Sequence, residues 1–306
     1  MTDIIVIGAG PAGLTAAIYA RRAEKGVLLI EKECFGGQIT HSPKVENYPG
    51  YESLSGSELG DKLFEHATAA GADIELDTVT GIEPIEGGYR VVCEGGSFEA
   101  KAVIIATGSR HRTLGLAHED ELVGEGISYC AVCDGAFYKD QTVAVIGGGN
   151  SALQDAVMLS DSSSHVTVVQ NLAFLTGEEK LQAILKERAN VDILLSTVVD
   201  EIMTDGGKFV GLSLKNTESG EITFLPVDGT FVAIGQVPEN EPFAGVVELD
   251  GRGYVSAGED CMPRTAHKGI FVAGDCRTKA IRQVTTATAD GAVAALAACR
   301  YINDNY

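Results

Sequence analysis

Basic residues are scarce. The chain carries 23 lysines and arginines against 43 aspartates and glutamates, a formal charge of −20 over 306 residues. A surface that acidic repels phosphate backbones, which excludes nucleic acid as a partner. Proline is sparse as well, 8 against 37 glycines, and the glycines cluster rather than recurring at a collagen period. No apolar run approaches the ~18 residues that span a bilayer, and the longest candidate, Ala292–Cys299, reads as a buried alanine-rich helix. Cysteine is limited to seven residues without regular spacing, an odd count that argues against a secreted disulfide framework. The opening Met1–Ile7 has no basic stretch and breaks at Gly8, so it reads as a strand rather than a signal peptide. A cytoplasmic protein without a membrane partner is expected.

What is present suits a packed core: 45% hydrophobic and 22% charged residues. The length is about twice that of a ~150-residue domain, so two domains are expected. The most informative pattern is an internal repeat. Apolar Ile4–Ile7 leads into Gly8-Ala9-Gly10-Pro11-Ala12-Gly13 and the helical stretch Leu14–Arg22, after which a second strand, Val27–Ile30, ends in Glu31. Downstream, Thr142–Ile146 leads into Gly147-Gly148-Gly149-Asn150-Ser151-Ala152, a helix to about Leu159, and a strand Val166–Val169 that ends in Gln170. Gly13 to Glu31 and Ala152 to Gln170 are the same interval, 18 positions.

Each turn therefore lies between strand and helix with a strand-end residue near the spacing of a dinucleotide-binding unit. The first glycine permits the turn, the second admits a pyrophosphate against the backbone, and the third position must be small for helix–strand packing. The helix start then offers N–H groups and partial positive charge to the phosphates. Glu31 accepts hydrogen bonds from a ribose 2′-hydroxyl and repels a 2′-phosphate, which points to FAD or NAD at the first turn. The second turn ends in neutral Gln170, and no lysine or arginine follows until Lys180. NADPH is disfavoured there, while NADH is allowed but not demanded.

Between the two turns lies Cys130-Ala131-Val132-Cys133-Asp134-Gly135. One such pair is half a zinc site or a redox disulfide; the other cysteines include no second close pair and no histidine stands at finger spacing, so a redox pair is the stronger reading. A helix beginning after Ser128 would favour thiolate formation. Asp134 is placed to give a proton to a leaving thiolate, or is a plain helix-start carboxylate.

These motifs together resemble the low-molecular-weight thioredoxin reductase family over nearly the whole chain. The likeness rests on GAGPAG (8–13), EKECFGGQ (31–38), VENYPG (45–50), ATGSR (106–110), CAVCDG (130–135), GGGNSA (147–152), VAGDC (272–276) and RQVTTA (282–287). The resemblance implies an α/β fold of two Rossmann-like three-layer dinucleotide-binding domains, the second inserted into the first. It places an FAD domain at 1–113 and 244–306, and a nicotinamide-type domain carrying the redox pair at 114–243. It implies that Gly8, Gly10, Pro11, Ala12, Gly13, Glu31 and Lys32 hold the ADP half of FAD. Gly37, Gln38 and Asn47 match positions near the flavin, and Thr107 and Gly108 match the turn that closes the first FAD segment. Gly274, Asp275, Arg282, Gln283 and Val284 match groups around the ribityl chain and ring edge. At the second turn the matching positions are Gly147, Gly149, Asn150, Ser151, Ala152 and Gln170. Hydride would pass from a nicotinamide to FAD, and electrons would then reach Cys130–Cys133 and a protein disulfide such as that of thioredoxin. A homodimer is implied, as are interdomain hinges near Arg112–Leu116 and Val237–Phe243.

One departure stands out. The family's His-Arg-Arg after the second unit's strand is replaced by Gln170-Asn171-Leu172, so NADPH specificity does not carry over. NADH, or reduced ferredoxin in place of a nucleotide, is expected as donor. A flavin-loaded sensor without turnover is the alternative from another class, and the intact CAVCDG argues against it. Arg252–Arg282 holds six basic residues against three acidic ones, which could dock an acidic electron carrier but reads better as neutralising the flavin pyrophosphate and facing solvent. Cys276 reads as a small buried residue.

Overall fold

The computed structural model describes residues 1–42 and 44–306. In chain order the first segment runs β1 (Thr2–Ile7), α1 (Pro11–Arg22), β2 (Val27–Glu31), α2 (Gly56–Ala69), β3 (Asp73–Leu76), β4 (Val79–Ile85), β5 (Gly88–Cys93), β6 (Ser97–Ile105) and β7 (Ser109–His111). The middle runs β8 (Ile127–Ser128), α3 (Ala131–Asp134), β9 (Thr142–Ile146), α4 (Asn150–Ser160), β10 (His165–Val169), α5 (Glu179–Lys186), β11 (Val191–Leu194), β12 (Thr197–Asp205), β13 (Lys208–Asn216), β14 (Ile222–Leu225), β15 (Gly229–Val232) and β16 (Gln236–Pro238). The chain ends with β17 (Ile270–Val272) and α6 (Val284–Asn305). Among the described residues no helix is long and apolar enough to cross a membrane.

Two compact units result: residues 1–110 with 237–306, and residues 111–236. The crossings thus fall at 110/111 and 236/237, earlier than the expected 113/114 and 243/244. The crossing strands β7 and β16 pair with each other, and Phe243 is buried in a core cluster of the first unit.

In the first unit β3-β2-β1-β6 are hydrogen-bonded side by side, with β17 also on β6, all in parallel. Antiparallel β5 and β4 complete the sheet. Side chains alternate between sheet faces, and the four central residues of β1 divide accordingly. Ile4 and Val6 join α1 and α6 in one cluster, whereas Ile5 and Ile7 join Phe243, Val246 and Val255 in another. Burying each such chain stabilises the unit by roughly 1.5–3 kcal/mol. Helix starts follow local chemistry. Pro11 opens α1 with its φ already helical, and Ser55 and Glu58 form a reciprocal capping box on α2.

The second unit has a parallel sheet in the order β11-β10-β9-β15-β8 and a separate antiparallel sheet β12-β13-β14. Val143 and Val145 pack with Ala152, Leu153 and Ala156 of α4. Ala144 and Ile146 face the other way, into a cluster with Ile202, Leu212 and Leu214. Both units are thus strand–turn–helix Rossmann-like folds whose opening turns lie at the carboxyl end of a buried central strand.

Candidate functional sites

The first glycine turn joins β1 to α1. Gly8 has φ +104°, and a Cβ there would lie 2.4 Å from the Ala106 carbonyl oxygen. A Cβ on Gly13 would lie 1.8 Å from the Gly8 carbonyl oxygen, so only glycine lets α1 sit this close to the turn. No side chain caps α1, which leaves its first N–H groups to an anion. The segment after β2 folds onto the turn. Gly36 N donates to Ala9 O at 2.9 Å, and Gly37 is set against Gly10, whose own Cβ position is otherwise open. The Glu31 carboxylate accepts from Ala9 N at 2.7 Å and from Lys32 N and Glu33 N at 2.9 Å each. It therefore stands at the turn with acceptor capacity left for a ribose hydroxyl. Lys32 turns to an ion pair with Glu239 at 2.6 Å.

The remaining first-unit candidates converge through contacts the motifs do not announce. Asn47 Nδ2 reaches Gln283 Oε1 at 3.4 Å, and Gln283 is the N-cap of α6, directly before Val284. Thr107 Oγ1 donates to Asn240 Oδ1 at 3.1 Å, while the fully buried Asn240 donates to Gly253 O and Cys276 O at 2.9 and 2.8 Å. The Arg282 guanidinium lies 4.2 Å from the centre of the Tyr254 ring. Gly274 and Asp275 form a short turn whose Gly274 N donates to Asp290 Oδ2 at 3.0 Å. Asp290 also accepts from Arg277 Nε and Nη2, at 3.0 and 2.9 Å, and from Lys279 Nζ at 2.9 Å. Two basic residues of the cationic segment are therefore buried and neutralised internally.

Asp275 tests whether this cradle suits FAD. Burial pushes its carboxyl up to about 6, opposed by Lys279 and Arg282. Among the described residues three buried side-chain oxygens lack a hydrogen-bond partner: Asp275 Oδ1, Asp134 Oδ1 and Thr230 Oγ1. An orphaned buried acceptor costs about 1–3 kcal/mol unless a donor reaches it. A hydroxyl-bearing ligand such as FAD supplies that donor, and the open anion-binding turn accepts its pyrophosphate. The residues fit the group. Cys276 is buried with its thiol pushed up to about 11 by burial, out of thiolate range near neutral pH.

In the second unit Cys130 and Cys133 form a disulfide with Cα atoms 5.2 Å apart. Cys130 is the N-cap of α3, and the backbone N–H groups of Cys133 and Asp134 donate to its carbonyl at 3.1 and 3.0 Å. Burial raises the pKa of Asp134, and a hydrogen bond from Ser128 partly offsets the rise. Tyr129 donates to Glu119 Oε1 at 2.7 Å and stacks on His111 at 5.3 Å. Glu119 in turn accepts from the backbone of Leu114, Gly115 and Leu116 at 2.7–3.3 Å.

The chain after Gln170 folds onto the second glycine turn, Gly147 to Ala152, as the segment after β2 does onto the first. Thr176 N and Gly177 N each donate to Gly148 O at 2.9 Å. Gln170 is 5% exposed; its Nε2 donates to Phe174 O at 3.2 Å, and its side chain lies over Gly148, 2.5 Å from where a Cβ would be. Glu178 is locked to the first residue of α4: Asn150 Nδ2 donates to Glu178 Oε1 at 3.0 Å, and Glu178 N donates to Asn150 Oδ1 at 2.7 Å. The loop that follows Gln170 is thus tied to the first residue of α4 through Glu178. Sequence reading missed Glu178, Asn240 and Asp290 because none belongs to a motif.

A family model described as pyridine nucleotide-disulphide oxidoreductase matches residues 2–291. The chain is 42% identical over 304 residues to the thioredoxin reductase of Bacillus subtilis, covering 99% of this chain and 95% of that protein. It is 41% identical over 304 residues to the thioredoxin reductase of Listeria monocytogenes, covering 99% and 94%. Among solved structures, thioredoxin reductase from Streptococcus pyogenes is similar with a TM-score of 0.93 and 38% identity, covering 99% of both chains.

Proposed function

The chain belongs to the pyridine nucleotide-disulphide oxidoreductase family, and from that premise we propose an FAD-dependent protein disulfide reductase of thioredoxin reductase type, with thioredoxin as acceptor. The observation that carries this reading is the Cys130–Cys133 disulfide with the buried carboxyl of Asp134 next to it. The Gly8–Gly13 turn and the α1 start would receive the FAD pyrophosphate, Glu31 the adenosine ribose, Asp275 a hydroxyl of the chain, and Arg282–Val284 the ring edge. Bound FAD supplies a carrier that takes up two electrons and passes them to a disulfide. In this chain the Sγ–Sγ bond breaks as two electrons and two protons enter, and Asp134 holds one of those protons. The dithiol of Cys130 and Cys133 then reduces the acceptor disulfide and returns to its oxidised form.

NADPH is not the donor in this reading. Gln170 offers no charge to a 2′-phosphate, and its amide is committed to Phe174 O. NADH and reduced ferredoxin remain, and the packing of 170–178 on the second turn, with Glu178 at the α4 start, favours ferredoxin, two equivalents each giving one electron. The test is anaerobic titration of the flavin-loaded protein with NADPH, NADH and reduced ferredoxin in turn, followed by flavin absorbance. NADPH should leave the flavin oxidised and reduced ferredoxin should bleach it. Rapid bleaching by micromolar NADPH would overturn the donor assignment.

A further inference from the structure

We propose that Ser128 is the positioning residue for the acid Asp134, holding its carboxyl by one oxygen so that the other delivers the proton to the redox disulfide. The inference rests on the disulfide reductase reading above. Ser128 ends β8, the strand beside β15 at the edge of the parallel sheet, and is 2% exposed. Its Oγ accepts from Cys130 N at 3.1 Å and lies 2.6 Å from Asp134 Oδ2. The Cys130 carbonyl is a poorer target for the hydroxyl proton, at 3.5 Å. One hydroxyl has one proton, and the short contact takes it. A single oxygen therefore ties the first residue of the Cys130–Asp134 segment to its last.

The consequence lies on the other carboxyl oxygen. Oδ2 is engaged as an acceptor, while Oδ1 is buried and has no partner. In the neutral acid, Oδ1 is where the proton resides, and its direction is set by the Ser128 bond. When two electrons enter Cys130–Cys133, the sulfur–sulfur bond breaks and one thiolate takes the Oδ1 proton. The other sulfur takes its proton from solvent, and solvent also reprotonates Asp134. The titratable neighbours are few. Tyr138 in the following turn feels the Asp134 charge, and α4, which packs on α3, carries Asp155, itself pushed up to about 6 by burial. Burial and the Ser128 hydrogen bond are the two influences on Asp134, and the second favours its charged form.

Removing the hydroxyl therefore has a direction. In Ser128→Ala the carboxylate loses its donor, so the pH above which the acid form is lost moves upward while the proton is worse aimed. The experiment is steady-state reduction of thioredoxin by the flavin-loaded enzyme from pH 5 to 9, with the donor that bleaches the flavin. Ser128→Ala should lower kcat about tenfold with KM little changed, and shift the alkaline limb up by about one pH unit. Ser128→Thr, which keeps the hydroxyl, should restore both. Asp134→Asn separates the two readings, because it should erase the limb. An intact limb in Asp134→Asn refutes the acid itself. A lost limb there, with an unshifted limb in Ser128→Ala, overturns the role of Ser128 alone.

Discussion

Replacing Asp290 with alanine removes one carboxylate that holds three partners at once. Arg277, 2% exposed, loses both of its hydrogen bonds to that carboxylate; Lys279 loses its 2.9 Å contact; and Gly274 N loses its acceptor. Breaking a buried ion pair from one side costs about 3–5 kcal/mol, because a desolvated charge remains behind. For a unit of this size that lowers the midpoint of thermal unfolding by on the order of 10 °C. The turn that presents Asp275 loosens with it, so flavin affinity should fall as well. The measurement is thermal unfolding of the apoprotein beside FAD titration, with Arg277→Ala and the double variant completing a cycle. The double variant should be less destabilised than the sum of the singles, since the carboxylate and guanidinium then leave together. Additive effects, or a loss below about 1 kcal/mol for Asp290→Ala, would refute the reasoning. The pH dependence follows with its sign. The hydrogen bonds and charges of Arg277 and Lys279 hold Asp290 below the usual carboxylate range despite burial. Its stabilisation is fully present above its unfolded value of about 3.9 and is lost as pH falls through the lower folded value. Acid unfolding of Asp290→Asn should therefore show a shallower slope below about pH 4 than the parent.

Other outcomes test other links. Gly13→Ala places a methyl 1.8 Å from the Gly8 carbonyl oxygen, an overpacking of at least about 1–3 kcal/mol; the purified variant should be largely colourless, and stoichiometric bound flavin would contradict the packing argument. Cys133→Ser should abolish turnover of the acceptor disulfide while leaving the flavin reducible, as read by absorbance; undiminished turnover would remove the redox pair from the mechanism. Glu178→Gln should weaken the tie between 170–178 and α4, giving NADH a measurable bleaching rate where the parent shows little, and an unchanged response would show that the carboxylate is not the barrier.

The elements that carry local information were legible in the sequence. Thr142–Ile146 forms β9 with the bounds read from its apolar run, and Val27 to Glu31 is a single strand that ends at the acidic residue. The α1 start moved from Leu14 to Pro11, since a proline at the first helical position belongs to the helix rather than to the turn. Both glycine turns and CAVCDG were visible because each depends on neighbours within a few residues: the period of the side chains, the φ a glycine allows, the reach of two thiols. The tertiary structure alone decided which partner each polar group would find. Asp290 meets Arg277 and Gly274, Thr107 meets Asn240 from 133 positions away, and Glu178 closes on Asn150. The identity of these partners is set by how helices and crossing strands stack, which no local spacing encodes. An equal interval of 18 residues made the two turns look alike, and in each the chain after the second strand folds back onto the turn, Gly36 N donating to Ala9 O and Thr176 N and Gly177 N to Gly148 O. What differs is the residue at the strand end and the partner that packing gives it: the Glu31 carboxylate accepts from Ala9 N, Lys32 N and Glu33 N, whereas the Gln170 amide donates to Phe174 O.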